Sequence, residues 1–157
     1  FPILLATKHF ELDEIATIVA IYPIFWGVGQ LFTGKMADIF DKKKMLFLGM
    51  LLQGVALLSM IYATTFWHFA ILSSVLGIGT AIVYPTFLAG IGDYTHPEQR
   101  AKSIGIFRLW RDSGYAFGAI ITGIISDIWN INTSIALIGG LTIISALIIQ
   151  IRMKSKV

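Results

Sequence analysis

Five long apolar runs of this sequence carry no Asp, Glu, Lys or Arg in their middle stretches. Charges buried at such positions are the usual mark of proton relays and embedded catalytic sites. An embedded enzyme also needs a nucleophile beside a base, or paired carboxylates, and neither pattern occurs, so no enzyme activity is expected. His9 and His96 fall between apolar runs and His68 near the end of one. No pair has metal-ligand spacing and there is no cysteine, so neither a metal nor a cofactor is expected. What the runs do carry is hydroxyls, an amide and aromatic rings at helical spacing. Tyr22, Trp26, Gln30 and Thr33 share one face, as do Gly77, Thr80 and Tyr84, and Gly114, Gly118, Thr122 and Ser126.

These stripes fit two roles. Small residues and hydroxyls are ordinary contacts between membrane helices, and Gly114-x-x-x-Gly118 reads as a close-packing face. Tyr22, Trp26 and Gln30, with Thr80 and Tyr84, suit the lining of a solute cavity as well as they suit packing. A glutamine facing lipid is costly, so Gln30 is expected to face protein or a wet cavity. Pro23 and Pro85 each remove a backbone donor inside a run, which suits a hinge and an ordinary kink alike.

Two charge clusters lie at run ends. In Gly34-Lys-Met-Ala-Asp38-Ile-Phe-Asp41-Lys42-Lys43-Lys44, Asp38 stands near a helix C-terminus, where the macrodipole disfavours it without a partner. In Arg108-Leu-Trp-Arg111-Asp112-Ser-Gly114-Tyr115, Arg108 and Asp112 are four apart and can pair. Arg111 is then directed elsewhere, either toward a nearby anion or as a cation reaching the interface.

The elements that hold these residues are membrane helices. The 157 residues are 56% hydrophobic and 13% charged, with a mean hydropathy of +0.79. A soluble domain carries about 25% charge. The net charge of +3 is therefore assigned to loops on one side of a bilayer rather than to nucleic-acid binding. A spanning helix needs about 20 apolar residues. Five spans are expected, over roughly 15–34, 45–63, 66–91, 107–126 and 133–151, in one all-α bundle occupying the chain. Phe1–Thr7 is too short to span and reads as the last turns of a longer helix, so an internal start is expected. Alternation puts eleven of the twelve Lys and Arg, Lys156 among them, on one side and only Lys8 on the other. That asymmetry predicts a multi-pass protein of the cell membrane with a cytoplasmic C-terminus.

Taken in order and spacing, these motifs resemble the C-terminal half of a major facilitator superfamily transporter. Gly34, Asp38, Lys42 and Lys43 are similar to the family's Gly-x-x-x-Asp-Arg-x-Gly-Arg-Lys loop, with Ile39 and Asp41 in place of Arg and Gly, as in its degenerate second copy. Tyr22–Gly34 resembles the eighth helix, and Arg108–Gly118 the start of the eleventh. The resemblance implies alternating access by two six-helix bundles, with Phe1–Thr7 ending helix seven and the five spans as helices eight to twelve. It makes Thr80 and Tyr84 cavity residues, and Tyr22 and Gln30 cavity or inter-bundle residues. It makes Gly34, Asp38, Lys42, Lys43, Arg108, Arg111 and Asp112 a cytoplasmic gate. The implied partners are a small solute, the bilayer and a missing N-terminal half. The alternative is a complete small channel or half-size carrier that oligomerises.

Overall fold

The computed structural model describes residues 1–154; Lys156 of the basic tail lies outside the described residues. They form six α-helices and, among the described residues, no strand: α1 (Pro2–Thr7), α2 (Leu12–Ile39), α3 (Lys42–Met60), α4 (Phe66–Tyr94), α5 (Arg100–Ile128) and α6 (Ile131–Arg152).

The short polar loops end one helix and cap the next. Glu11 and Glu14 form a capping box at the start of α2, with the Glu14 carboxylate accepting from the Glu11 amide at 3.0 Å. Asp41 accepts from the Lys43 amide at 2.9 Å, Thr65 from the His68 amide at 3.3 Å, and Asn130 from the Thr133 amide at 2.8 Å. Each satisfies a donor that the first turn of a helix leaves unpaired. Asp41, one of the two residues that depart from the loop pattern the sequence resembles, thus starts α3. The stub α1 ends in a left-handed turn. His9 has φ 63°, the Phe10 amide donates to the Leu5 carbonyl and the His9 amide to that of Ala6. This turn folds Phe10 onto Phe69 at 5.5 Å between rings.

Helix α4 is the central element. It packs along α2 on one side and α3 on the other, α3 packs on α6, and α5 leans on α6 with a lighter contact to α4. Glycines set these crossings. A Cβ on Gly77 would lie 2.6 Å from the Tyr22 carbonyl oxygen. Gly49 and Gly79 would each clash with the other's carbonyl, at 3.1 and 2.9 Å. Gly54 and Gly139 would do the same between α3 and α6, at 3.0 and 3.2 Å. Without a driving force from water, helices in lipid associate through such close backbone approach. Thr33 adds a buried link, its hydroxyl donating to the Ala81 carbonyl at 2.6 Å.

By length and composition, α2, α3, α4 and α6 each hold a stretch apolar enough to cross a membrane. Helix α5 has the length, 29 residues, but Arg100, Lys102, Arg108, Arg111 and Asp112 make its first half amphipathic, and none of its residues is buried. The glycine face on α5 differs from the expected one. A Cβ on Gly114 or Gly118 meets nothing within 4 Å, so neither sets a crossing inside this bundle. Any close packing through that face is against a surface outside the described residues. At the far end of α5, the Ser134 hydroxyl of α6 donates to the Thr122 carbonyl at 2.9 Å.

The fully apolar core, built on Leu4, Leu5, Ile18, Met60, Ala63 and Phe69, sits at the end of the bundle that carries Lys8. At the lysine-rich end, Lys42 of α3 pairs with Asp93 of α4 at 3.0 Å.

Candidate functional site

Between these two ends, α2, α3, α4 and α5 border a half-open cavity of about 740 Å³. That is a size typical of sites for small molecules. Thr80 lies near the middle of α4, and Tyr84 and Phe87 follow toward the lysine-rich end. Their spacing of three to four residues puts all three on one face of the helix. Trp26 comes from the middle of α2, Gln53 from α3, and Phe107, Trp110, Arg111 and Tyr115 from α5.

The wall on the α2 side is ordered by a short relay. The Tyr22 hydroxyl donates to Thr80 Oγ1 at 3.4 Å, and Thr80 Oγ1 donates to the Leu76 carbonyl at 2.9 Å. The Tyr22 ring stacks on Trp26 at 6.1 Å between centroids. Gly77 makes this possible, because its missing side chain lets α4 approach the α2 backbone at Tyr22 and Trp26. Trp26 Nε1 is buried and has no hydrogen-bond partner among the described residues. A buried donor of that kind is costly unless something fills its valence.

On the α5 side, Phe107 meets Phe87 at 5.7 Å between rings. The Arg111 guanidinium lies over the Tyr84 ring at 5.2 Å, within cation–π range. Its Nε donates to the Asp112 carboxylate at 2.8 Å. This replaces the expected Arg108–Asp112 pair. Arg108 is exposed and makes no ion pair among the described residues, whereas Arg111 is drawn inward and takes the adjacent carboxylate.

Of the expected cavity residues, Trp26, Thr80 and Tyr84 line the space together. Tyr22 supports it from behind through Thr80, and Gln30, half-buried one turn beyond Trp26, is not in the lining. Arg111, expected in a gate, stands in the cavity wall. Gln53 and the aromatic residues of α5 are additions. Gln53 carries the same signal as Gln30, a lone amide inside an apolar run, while the aromatic residues carry none that separates them from lipid anchors.

The remaining members of the charge clusters do not converge among the described residues. Asp38, in the last turn of α2, is exposed and has no ion-pair partner there. Lys42 is engaged with Asp93, and the space beside Gly34 is open.

The sequence profile described as Major Facilitator Superfamily matches residues 1–155. The chain is similar to a multidrug transporter of Candida glabrata, 27% identical over 125 residues, which is 78% of this chain and 21% of the relative. It is similar to an inner membrane transport protein of Escherichia coli, 26% identical over 120 residues, 76% of this chain and 29% of the relative. A methyl viologen resistance protein of Salmonella typhimurium is 29% identical over 127 residues, 80% of this chain and 26% of the relative. The chain thus spans between about a fifth and a third of the length of these curated relatives.

Proposed function

Because the chain belongs to the major facilitator superfamily, a family of membrane transporters, we propose that it forms most of the C-terminal bundle of a secondary transporter working by alternating access. In this reading the cavity between α2, α3, α4 and α5 is this bundle's share of the solute site. The observation that carries the reading is the convergence of Trp26, Gln53, Thr80, Tyr84 and Arg111 on one cavity inside a bundle of apolar helices. A second bundle covers the exposed faces of α2 and α5, and the two rock about the cavity. The protein lies in the cell membrane with the Lys- and Arg-rich end cytoplasmic, as the eleven-to-one distribution supports.

The chain has no cysteine, so single cysteines can be introduced as reporters. In the protein that carries this chain, Thr80→Cys is expected to react with a membrane-impermeant thiol reagent applied from either face, with solute protecting it on both. Thr65→Cys is expected to react only from outside. Labelling of Thr80→Cys from one face alone, under every solute condition, is the outcome that rules out alternating access at this cavity.

Asp38 has a separate role in this reading. An exposed carboxylate in the last turn of a helix is opposed by the macrodipole and gains from a cation on another element. A contact made in only one of two states shifts their populations when it is lost. Asp38→Asn is therefore expected to leave expression near normal. Transport should fall several-fold, on the order of 1 kcal/mol of population shift, with Thr80→Cys becoming more reactive from the cytoplasm. Unchanged transport and labelling would reduce Asp38 to a solvated loop charge.

A further inference from the structure

Resting on the reading of the cavity as the solute site, we propose that it selects flat aromatic carboxylates. Six of the ten lining residues are aromatic: Trp26, Tyr84, Phe87, Phe107, Trp110 and Tyr115. Rings on several walls favour a planar, polarisable solute that can stack or meet them edge-on. Thr80 is already engaged by Tyr22 and by the Leu76 carbonyl, and the other polar groups of the lining are the Gln53 amide, the Tyr84 and Tyr115 hydroxyls, the Trp110 indole N–H and the Arg111 guanidinium.

Charge then decides between acid and base. Among the described residues, Arg111 is the only charged side chain in the lining, and no carboxylate lines the space. Asp112, which holds Arg111 at Nε, is an exposed residue whose side chain keeps 60% of its surface accessible, and it does not line the cavity. A cationic solute would enter against Arg111 with no acid to meet it. An anionic one finds a planar guanidinium whose Nη1–Nη2 edge matches the two oxygens of a carboxylate. The Tyr84 ring beneath the guanidinium and Asp112 at Nε fix its plane, so that little ordering remains when the ligand arrives.

The test uses three probes of the same shape and different charge on the purified protein carrying this chain, in nanodiscs, by titration calorimetry. They are 2-naphthoate, 2-naphthamide and N-methylquinolinium. The naphthoate is expected to bind about tenfold or more tighter than the amide, through a charge-assisted bidentate pair with Arg111, and the quinolinium more weakly than either. Arg111→Gln should bring the ratio of carboxylate to amide affinity close to one, and Arg111→Lys should restore part of it. Equal binding of naphthoate and amide, preference for the quinolinium, or binding of none of the three overturns the proposal, and the wild-type comparison decides it even if the Arg111 variants fold poorly. The parent reading fails separately. If filling the cavity at Thr80 leaves transport intact, the cavity is not the solute site. If filling it stops transport while naphthoate is not preferred, only the assignment to aromatic acids falls.

Discussion

Gly77→Val is expected to lower the melting temperature of the detergent-solubilised protein by about 10 °C and to remove most of the monodisperse peak on gel filtration. Gly77 is the point where α4 touches the backbone of α2. Its Cβ would sit 2.6 Å from the Tyr22 carbonyl oxygen, 2.9 Å from the Phe25 Cβ and 3.1 Å from the Trp26 amide nitrogen. Two of these three neighbours are backbone atoms, which cannot rotate away as a side-chain tip can. Overfilling a packed contact costs about 1–3 kcal/mol, and a valine meeting backbone belongs at or above the top of that range. The matched control is Gly140→Val on α6, where a Cβ meets nothing within 4 Å. That variant should melt within about 2 °C of the parent, since valine is no worse than glycine in a helix. Equal loss in both variants would mean that valine disturbs these helices generally and that the α2–α4 crossing is not set by Gly77.

Thr80→Trp is expected to reduce transport by about tenfold or more while leaving yield and melting temperature close to those of the parent. Thr80 borders the cavity of about 740 Å³ and is only partly buried, so an indole there has room to extend into the space rather than into a neighbouring helix. The site then loses volume that a solute of drug-like size needs. Thr80→Val separates filling from the loss of the hydroxyl. It removes the acceptor for Tyr22, whose 3.4 Å bond is long, and should cost less than about twofold in transport. Transport that survives tryptophan at this position would remove the cavity from the solute pathway. A fall of similar size in Thr80→Val would shift the weight from volume to the Tyr22 relay.

Both predictions depend on a distinction that composition does not make. The sequence contains 15 glycines, and the pair that spacing singles out, Gly114 and Gly118, faces open space. The glycines that set the crossings, such as Gly49 with Gly79 and Gly54 with Gly139, lie far apart in the chain. A motif within one helix records that a close approach is possible. Which pair of helices makes it depends on how they meet. The Arg108–Asp112 pair failed for a related reason. Spacing allows i,i+4 partners, but Arg111 turns toward Tyr84 and brings the neighbouring carboxylate with it.

By itself the sequence determined the helical class and the family. Apolar runs long enough to cross a bilayer leave the backbone no stable alternative to satisfying its own hydrogen bonds. The loop residues Glu11, Asp41, Thr65 and Asn130 start the following helices by local chemistry that needs no tertiary contact. Trp26, Thr80 and Tyr84 line the cavity, and what made Thr80 and Tyr84 candidates was the family resemblance rather than their spacing. Only the tertiary structure decided that Gln53, Phe107, Trp110, Arg111 and Tyr115 join them, and that Gln30 does not. Within one helix the pattern gives a face but not its neighbour, and in an apolar solvent an aromatic ring is equally at home against lipid, against another helix or around a solute. That choice is made by the rotation of each helix against the next, which the glycine contacts of α4 with α2 and α3 fix.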